Sequence, residues 1–166
     1  MFNGVNVTLL NFTPEPEKTV LLAARLCYSD SKISELEDKI KGLSYDKFLG
    51  KILNMGHLSV LVHASFTFGI EGISRATSHQ LVRHRLASYS QQSQRYVAFD
   101  KVFEYVMPDT IASVPVTKKD FSKAMKSIHR VYKKLVDSGV PPEDARYVLP
   151  NAATTKIIVT MNAREL

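Results

Sequence analysis

"SVLVHASFTFGIEGISRATSHQLVRHRLASYSQQSQRY" (residues 59–96) changes its period twice. Over 59–70, Val60, Val62, Ala64, Phe66, Phe68 and Ile70 share one side of an alternating pattern, which predicts a strand. Residues 73–85 return to a helical period, and Gln80 then lies over Arg83 and His84, three and four positions on. Beyond the helix, an extended reading puts Gln91, Ser93 and Arg95 on a single side. Strand, helix and extended chain follow one another without a regular βαβ rhythm, so the expected class is α+β.

The flanks agree with that class. "VNVTLLNF" (5–12) predicts a strand, and Thr13-Pro14 predicts an N-cap with proline opening a helix. On that helix Val20, Ala23, Ala24 and Cys27 share a face, so Cys27 reads as core packing. "SYDKFLGKILNM" (44–55) is a second amphipathic helix with Phe48, Leu49, Ile52, Leu53 and Met55 apolar and Gly56 as its stop. The strongest helix covers 121–136, its stripe formed by Phe121, Ala124, Met125, Ile128, Val131, Tyr132, Leu135 and Val136. Gly139 and Pro141-Pro142 end it, a short helix follows over 143–147, and "TTKIIVT" (154–160) predicts a last strand. Asn162 with Glu165 resembles a capping box, a helix-start signal.

A chain of 166 residues suits one domain, here expected over 1–166. Its 45% hydrophobic and 23% charged residues are ordinary for a globular protein. No apolar run approaches the roughly 20 residues that span a bilayer, and the N-terminus lacks a signal-peptide pattern. The single cysteine, Cys27, excludes an internal disulfide and a cysteine metal cluster. A cytoplasmic protein is expected. The net charge of +6 could serve nucleic acid, an anionic membrane or phosphorylated ligands. The lysines are scattered, through 118–134 and the first fifty residues, as on a solvated surface. Arg75, Arg83, Arg85, Arg95, Arg146 and Arg164 stand in less charged, partly apolar stretches, where arginine more often holds a fixed anion.

Arginine presents a planar fork to phosphate oxygens, while glutamine and serine can read imide edges and ribose hydroxyls. Two donor-rich faces meeting after residue 82 therefore suit a nucleotide. Arg83-His84-Arg85 could also simply complement a helix dipole. A serine-hydrolase triad is not indicated, because there is no G-x-S-x-G and no carboxylate is evidently placed to orient His84. His57 and His63 have the wrong spacing for a zinc site, and no metal is expected.

Arg83-His84-Arg85, seven residues and then Ser93 resemble the RHR-x7-S signature of the flavin-dependent thymidylate synthases. The similarity continues through "SQRY" (93–96), upstream to Gly56, His57 and Ser59, and downstream to "ARYVLP" (145–150) and "NAR" (162–164). The resemblance implies an α+β fold with a mostly antiparallel sheet and conversion of dUMP to dTMP. Methylenetetrahydrofolate would give the one-carbon unit, and FAD reduced by NADPH the hydride. It implies a homotetramer with sites shared between subunits.

Carried over by motif, FAD would meet His57, Ser59, Arg83, His84, Arg85, Gln91, Asn162 and Arg164. The substrate dUMP would meet Gln80, Arg83, Gln91, Ser93, Gln94, Arg95 and Arg146, with Arg95 and Arg146 on the phosphate and sugar side. Arg83, His84, Ser93, Arg95 and Arg146 are the candidate catalytic set. Some relatives carry glutamate where this chain has Gln91. The family pattern also implies a C-terminal segment after the NAR turn, with a further FAD ligand and a uracil-polarising arginine, and this chain is expected to lack it.

The reaction needs a nucleophilic uracil C5. With Cys27 read as packing and Ser93 an unactivated hydroxyl, the expected device is arginine stabilisation of the charge that develops on the ring. Two other readings stand beside this one. A nucleotide-binding regulatory protein would keep the pocket without the chemistry. A basic nucleic-acid binder would use the charge, though aromatic residues are not interleaved with the cations as a stacking platform requires.

Overall fold

The computed structural model describes residues 4–96 and 102–166. Four strands, β1 (Asn6–Phe12), β2 (Ser65–Ser74), β3 (Ala87–Gln91) and β4 (Thr154–Asn162), form an antiparallel sheet in the order β1-β2-β4-β3. Register is marked on the β2–β4 pair by Thr67 Oγ1 against Thr160 Oγ1 at 2.9 Å, and by a Lys156–Glu71 ion pair at 3.0 Å. With the helices described below this is the α+β class that the sequence implies.

The chain divides into two compact units. One comprises Met1–Thr8, Gly69–Arg83 and Tyr89–Ile158; the other comprises Leu9–Phe68, His84–Ser88 and Val159–Leu166. The second unit holds α1 (Pro16–Leu26), α2 (Ile33–Ile40) and α3 (Tyr45–Asn54). Its core joins Val20 and Ala24 of α1, Ile52 of α3, and Val60 and Ala64. Pro16 opens α1 behind Glu15, whose φ of 45° is the one positive value at a non-glycine among the described residues. The expected cap at Thr13 is displaced for a specific reason. Thr13 Oγ1 accepts from Ser65 N at 2.9 Å, and Thr13 N donates to Ser65 O at 2.9 Å, so the threonine is engaged with β2. Cys27 is also corrected: it follows α1, is exposed, and its thiol donates to Ala23 O at 3.4 Å. Helix α2 was not anticipated, although Leu36 and Ile40 give it a short buried stripe.

The segment 59–70 is only partly a strand. Leu58–His63 is a 3₁₀ helix, entered through Gly56 at φ 72°. Local bonds such as Ala64 N to Leu61 O at 3.2 Å replace sheet pairing there. Three-residue turns bury Val60 and leave Val62 out, so the apparent alternation ends where β2 starts.

The first unit holds α4 (Arg75–Leu81), α5 (Asp109–Ala112), α6 (Pro115–Asp137) and α7 (Pro142–Ala145), followed by a 3₁₀ turn, Arg146–Val148. Helix α6 starts six residues before the apolar stripe expected from 121, because Pro115 supplies a preset first-turn φ. Met125, His129 and Tyr132 are its buried residues, whereas Val131 is exposed. The core around α6 joins Phe103, Met125 and Ala153. Among the described residues no helix is long and apolar enough to cross a membrane.

Tyr132 is 1% exposed. Tyr132→Ala is expected to destabilise the protein by about 3–5 kcal/mol, and Val131→Ala by less than about 1 kcal/mol. Urea unfolding of the two variants checks the contrast; equal midpoints would contradict this burial.

Candidate active site

Helix α4 positions the first set of side chains. Ser74 Oγ caps it by accepting from Thr77 N at 3.0 Å. Its first amides are bound by the chain before β4: Arg75 N to Ala153 O at 2.9 Å and Ala76 N to Asn151 O at 3.0 Å. These bonds satisfy donors that a helix start leaves open. At the other end Tyr89 OH donates to Leu81 O at 2.9 Å. Burial pushes the Tyr89 phenol above its ordinary range. Gln80 stands exposed on α4, and Arg83 follows the helix end, its N–H on Gln80 O at 3.1 Å.

Gln91 ends β3 and points its amide nitrogen inward. Nε2 donates to Ser78 Oγ at 2.7 Å and to Thr155 Oγ1 at 3.2 Å. Ser78 is fully buried and passes its own proton to Arg75 O at 2.9 Å. Both amide protons of Gln91 are thereby used, and its carbonyl oxygen is the group it can offer a ligand. Ser93 and Arg95 do not share an extended face with Gln91. The strand stops at Gln91 and a turn follows, in which Ser93 Oγ accepts from Arg95 N at 3.1 Å. Gln94 is half-buried in the same turn.

Two arginines of this unit, Arg95 and Arg146, meet at Glu143. Arg95 Nη2 lies 3.6 Å from a Glu143 carboxylate oxygen, and Arg146 Nε donates to Glu143 O at 2.9 Å. Arg75 is half-buried; burial, and after it the Arg146 charge, hold its guanidinium below the usual arginine range. An arginine is still a cation at neutral pH. Three guanidinium groups and one carboxylate leave positive charge uncompensated, and such a cluster can take an anion. Arg75 was expected among the anion-holding arginines but not assigned to the site, and Glu143 was missed. A signal was present: Arg75 directly follows a serine cap, and Glu143 precedes Arg146 by three residues, the spacing of one helical turn.

The second unit holds the other candidates. His57 follows α3, and its Nε2 is 3.2 Å from Tyr28 OH, with the rings edge to face at 6.0 Å. A cavity of about 200 Å³ is lined by Arg25, Cys27, Tyr28, Lys51, His57 and Ser59 among others. Asn162 Oδ1 accepts from Arg164 N at 3.0 Å and Glu165 N at 3.3 Å, so the expected cap is formed, over a turn. Ala163 N donates to Ala64 O at 2.8 Å, which ties this turn to the end of the 3₁₀ helix that carries Ser59. His84 and Arg85 belong to this unit and are exposed. Among the described residues no group of three His, Cys, Asp or Glu could hold a metal ion.

Comparison with known proteins gives this arrangement a family. A family profile described as "Thymidylate synthase complementing protein" matches residues 8–166. A flavin-dependent thymidylate synthase of Geobacter sulfurreducens is 59% identical over 98% of this chain and 70% of its own length. One from Pyrococcus furiosus is 47% identical over 98% of this chain and 68% of its own length. The fold is also that of a solved UMP/dUMP methylase from Streptomyces cacaoi bound with 5-Br dUMP. That similarity has a TM-score of 0.80 and 25% identity, covering 99% of this chain and 75% of the other. Fold and profile together define an enzyme of the thymidylate synthase complementing class. The chain belongs to the flavin-dependent thymidylate synthase family.

Ser78→Ala removes the acceptor of the shorter Gln91 bond. A loss of about 1–2 kcal/mol of stability is expected, measurable by thermal unfolding; an unchanged midpoint would show that Ser78 does not anchor Gln91.

Proposed function

We propose that this chain makes dTMP from dUMP as a flavin-dependent thymidylate synthase, taking a methylene group from methylenetetrahydrofolate. The observation that carries the substrate side is the under-compensated pair of Arg95 and Arg146 at Glu143, with Arg75 within reach of the Arg146 charge, in a chain of this family. Arg95 and Arg146 hold the phosphate, and Arg75 adds charge beside Arg146. Gln80, Arg83, Ser93 and Gln94 complete the dUMP contacts. The inward-tied amide of Gln91 supports a definite role, with its carbonyl oxygen accepting the uracil imide proton.

The residues fit a flavin dinucleotide. His57, Ser59, Arg83, His84, Arg85, Asn162 and Arg164 supply cations, hydroxyl and amide groups suited to a pyrophosphate and its riboses, and the cavity beside His57 adds Arg25 and Lys51. Gln91 was expected to join this set, but with both amide protons committed it can offer FAD only its oxygen. The chemistry these residues would hold in place is hydride supply, from FAD that NADPH would reduce. The protein's own residues bind and polarise. The arginines stabilise negative charge on the uracil ring as C5 becomes nucleophilic. Ser93 shapes the turn through its bond with Arg95 N and does not attack. Cys27 is turned back on its own helix and is assigned no covalent step.

Assembly into a homotetramer with sites shared between subunits is part of the same reading. It is supported by β1, on which Val7, Leu9, Leu10 and Phe12 are all about half exposed. A cytoplasmic setting suits a chain whose single cysteine is free. The test is tritium release from 5-tritiated dUMP by the FAD-loaded full-length protein with methylenetetrahydrofolate and NADPH. Release dependent on all three is expected; none would overturn the proposal.

A further inference from the structure

The lysines that look scattered in the sequence fall in line on α6. Lys119, Lys123, Lys126, Arg130 and Lys133 follow one another at steps of three and four residues, the spacing of a single helix face. At 1.5 Å per residue the row is about 21 Å long. Among the described residues none of the five has an ion pair; the carboxylates of this helix are Asp120, three residues before Lys123, and Asp137, a turn beyond the end of the row. A helix gains nothing from five like charges on one face, since such pairs repel.

The middle of the row lines an open groove of about 590 Å³, formed by Val102, Lys123, Lys126, Ser127, His129 and Arg130 with Ala124. None of the lining residues is acidic. Ser127 Oγ accepts from Arg130 Nη2 at 3.5 Å, which keeps that guanidinium over the groove wall. His129 is 8% exposed, packs edge to face with Phe103 at 5.9 Å, and its Nδ1 is buried without a hydrogen-bond partner. By helical position it lies on the border between the buried face and the cationic row. His129 lines the groove, so a ligand held there changes the surroundings of its ring.

We propose that this face of α6 is a second anion site, separate from the Arg75–Arg95–Arg146 cluster, for a ligand carrying a chain of phosphates. Three cations within two helical turns match two to four negative charges, and the groove has the volume of a small-molecule site. The row continuing through Lys119 and Lys133 gives further phosphates a track. The phosphate chain could belong to a free nucleoside triphosphate or to the backbone of a single-stranded nucleic acid, and the two sources are separable by experiment.

The full-length protein is saturated with dUMP and FAD, so that the arginine cluster and the flavin site are filled. Inorganic tripolyphosphate, a nucleoside triphosphate and a twelve-nucleotide single strand are then titrated by calorimetry at low salt. Tripolyphosphate should bind with micromolar to sub-millimolar affinity, and the nitrogen resonances of His129 should move. The exposed pair Lys126→Ala and Arg130→Ala together should weaken binding at least tenfold, with dUMP affinity unchanged. Tight strand binding with a steep salt dependence assigns the site to a nucleic-acid backbone; triphosphate binding alone assigns it to a free nucleotide. No tripolyphosphate binding up to several millimolar, binding indifferent to the double substitution, or a stationary His129 signal would overturn the proposal.

Discussion

Two backbone hydrogen bonds decide where the substrate side of this protein can be built. Arg75 N to Ala153 O and Ala76 N to Asn151 O fasten the first turn of α4 to the chain that leads into β4. Ser74 completes the cap. With the helix start fixed, Ser78 is fixed one turn on, and Ser78 holds the amide of Gln91 at the end of β3. The same short helix carries Gln80 outward and delivers Arg83 at its end. Arg75 itself, held by its backbone, sits partly buried within reach of the Arg146 charge. A handful of local bonds thus fixes Gln91 and Arg75, two residues of the proposed dUMP site.

Much of this was legible in the sequence, and the reasons are specific. Strands β1 and β4 and helices α3 and α6 have strong periodicity and clear stops; β1, β4 and α3 were anticipated close to their bounds, and α6 at its end but not at its start. The RHR-x7-S spacing pointed to the family. What was lost depended on partners far along the chain. Thr13 has the chemistry of a cap, but Ser65 competes for it across 52 positions. Cys27 follows the apolar stripe of α1, yet the helix ends before it and leaves it exposed. The alternation of 58–63 belongs to a 3₁₀ helix, whose three-residue period mimics a strand over so few residues. Extended geometry was expected to carry Gln91, Ser93 and Arg95 together, but the Ser93 hydroxyl closes a turn on Arg95 N. Arg75 and Glu143 carry a local signal, but it takes on meaning only with the nearby Arg146 charge and with Arg95, which lies far along the chain from Glu143.

The electrostatic logic of the first unit is a deliberate imbalance. Glu143 is close enough to keep Arg95 and Arg146 in place, with its carboxylate on one and its carbonyl on the other. It is too little charge to satisfy three guanidinium groups. Both members of the Arg95–Glu143 pair are about half exposed, so the pair itself adds little stability. Its value is orientation, and in the proposed function the arginines so held would receive the dUMP phosphate.

The most direct test of this account compares dUMP with deoxyuridine, which lacks the phosphate, by calorimetry on the FAD-loaded protein. Charge-assisted hydrogen bonds of about 1.5–3 kcal/mol each predict that dUMP binds at least roughly a hundredfold more tightly. They also predict that the gap narrows at least about tenfold in each of Arg75→Ala, Arg95→Ala and Arg146→Ala. A gap that survives all three substitutions would place the phosphate elsewhere and contradict the arginine cluster as its site.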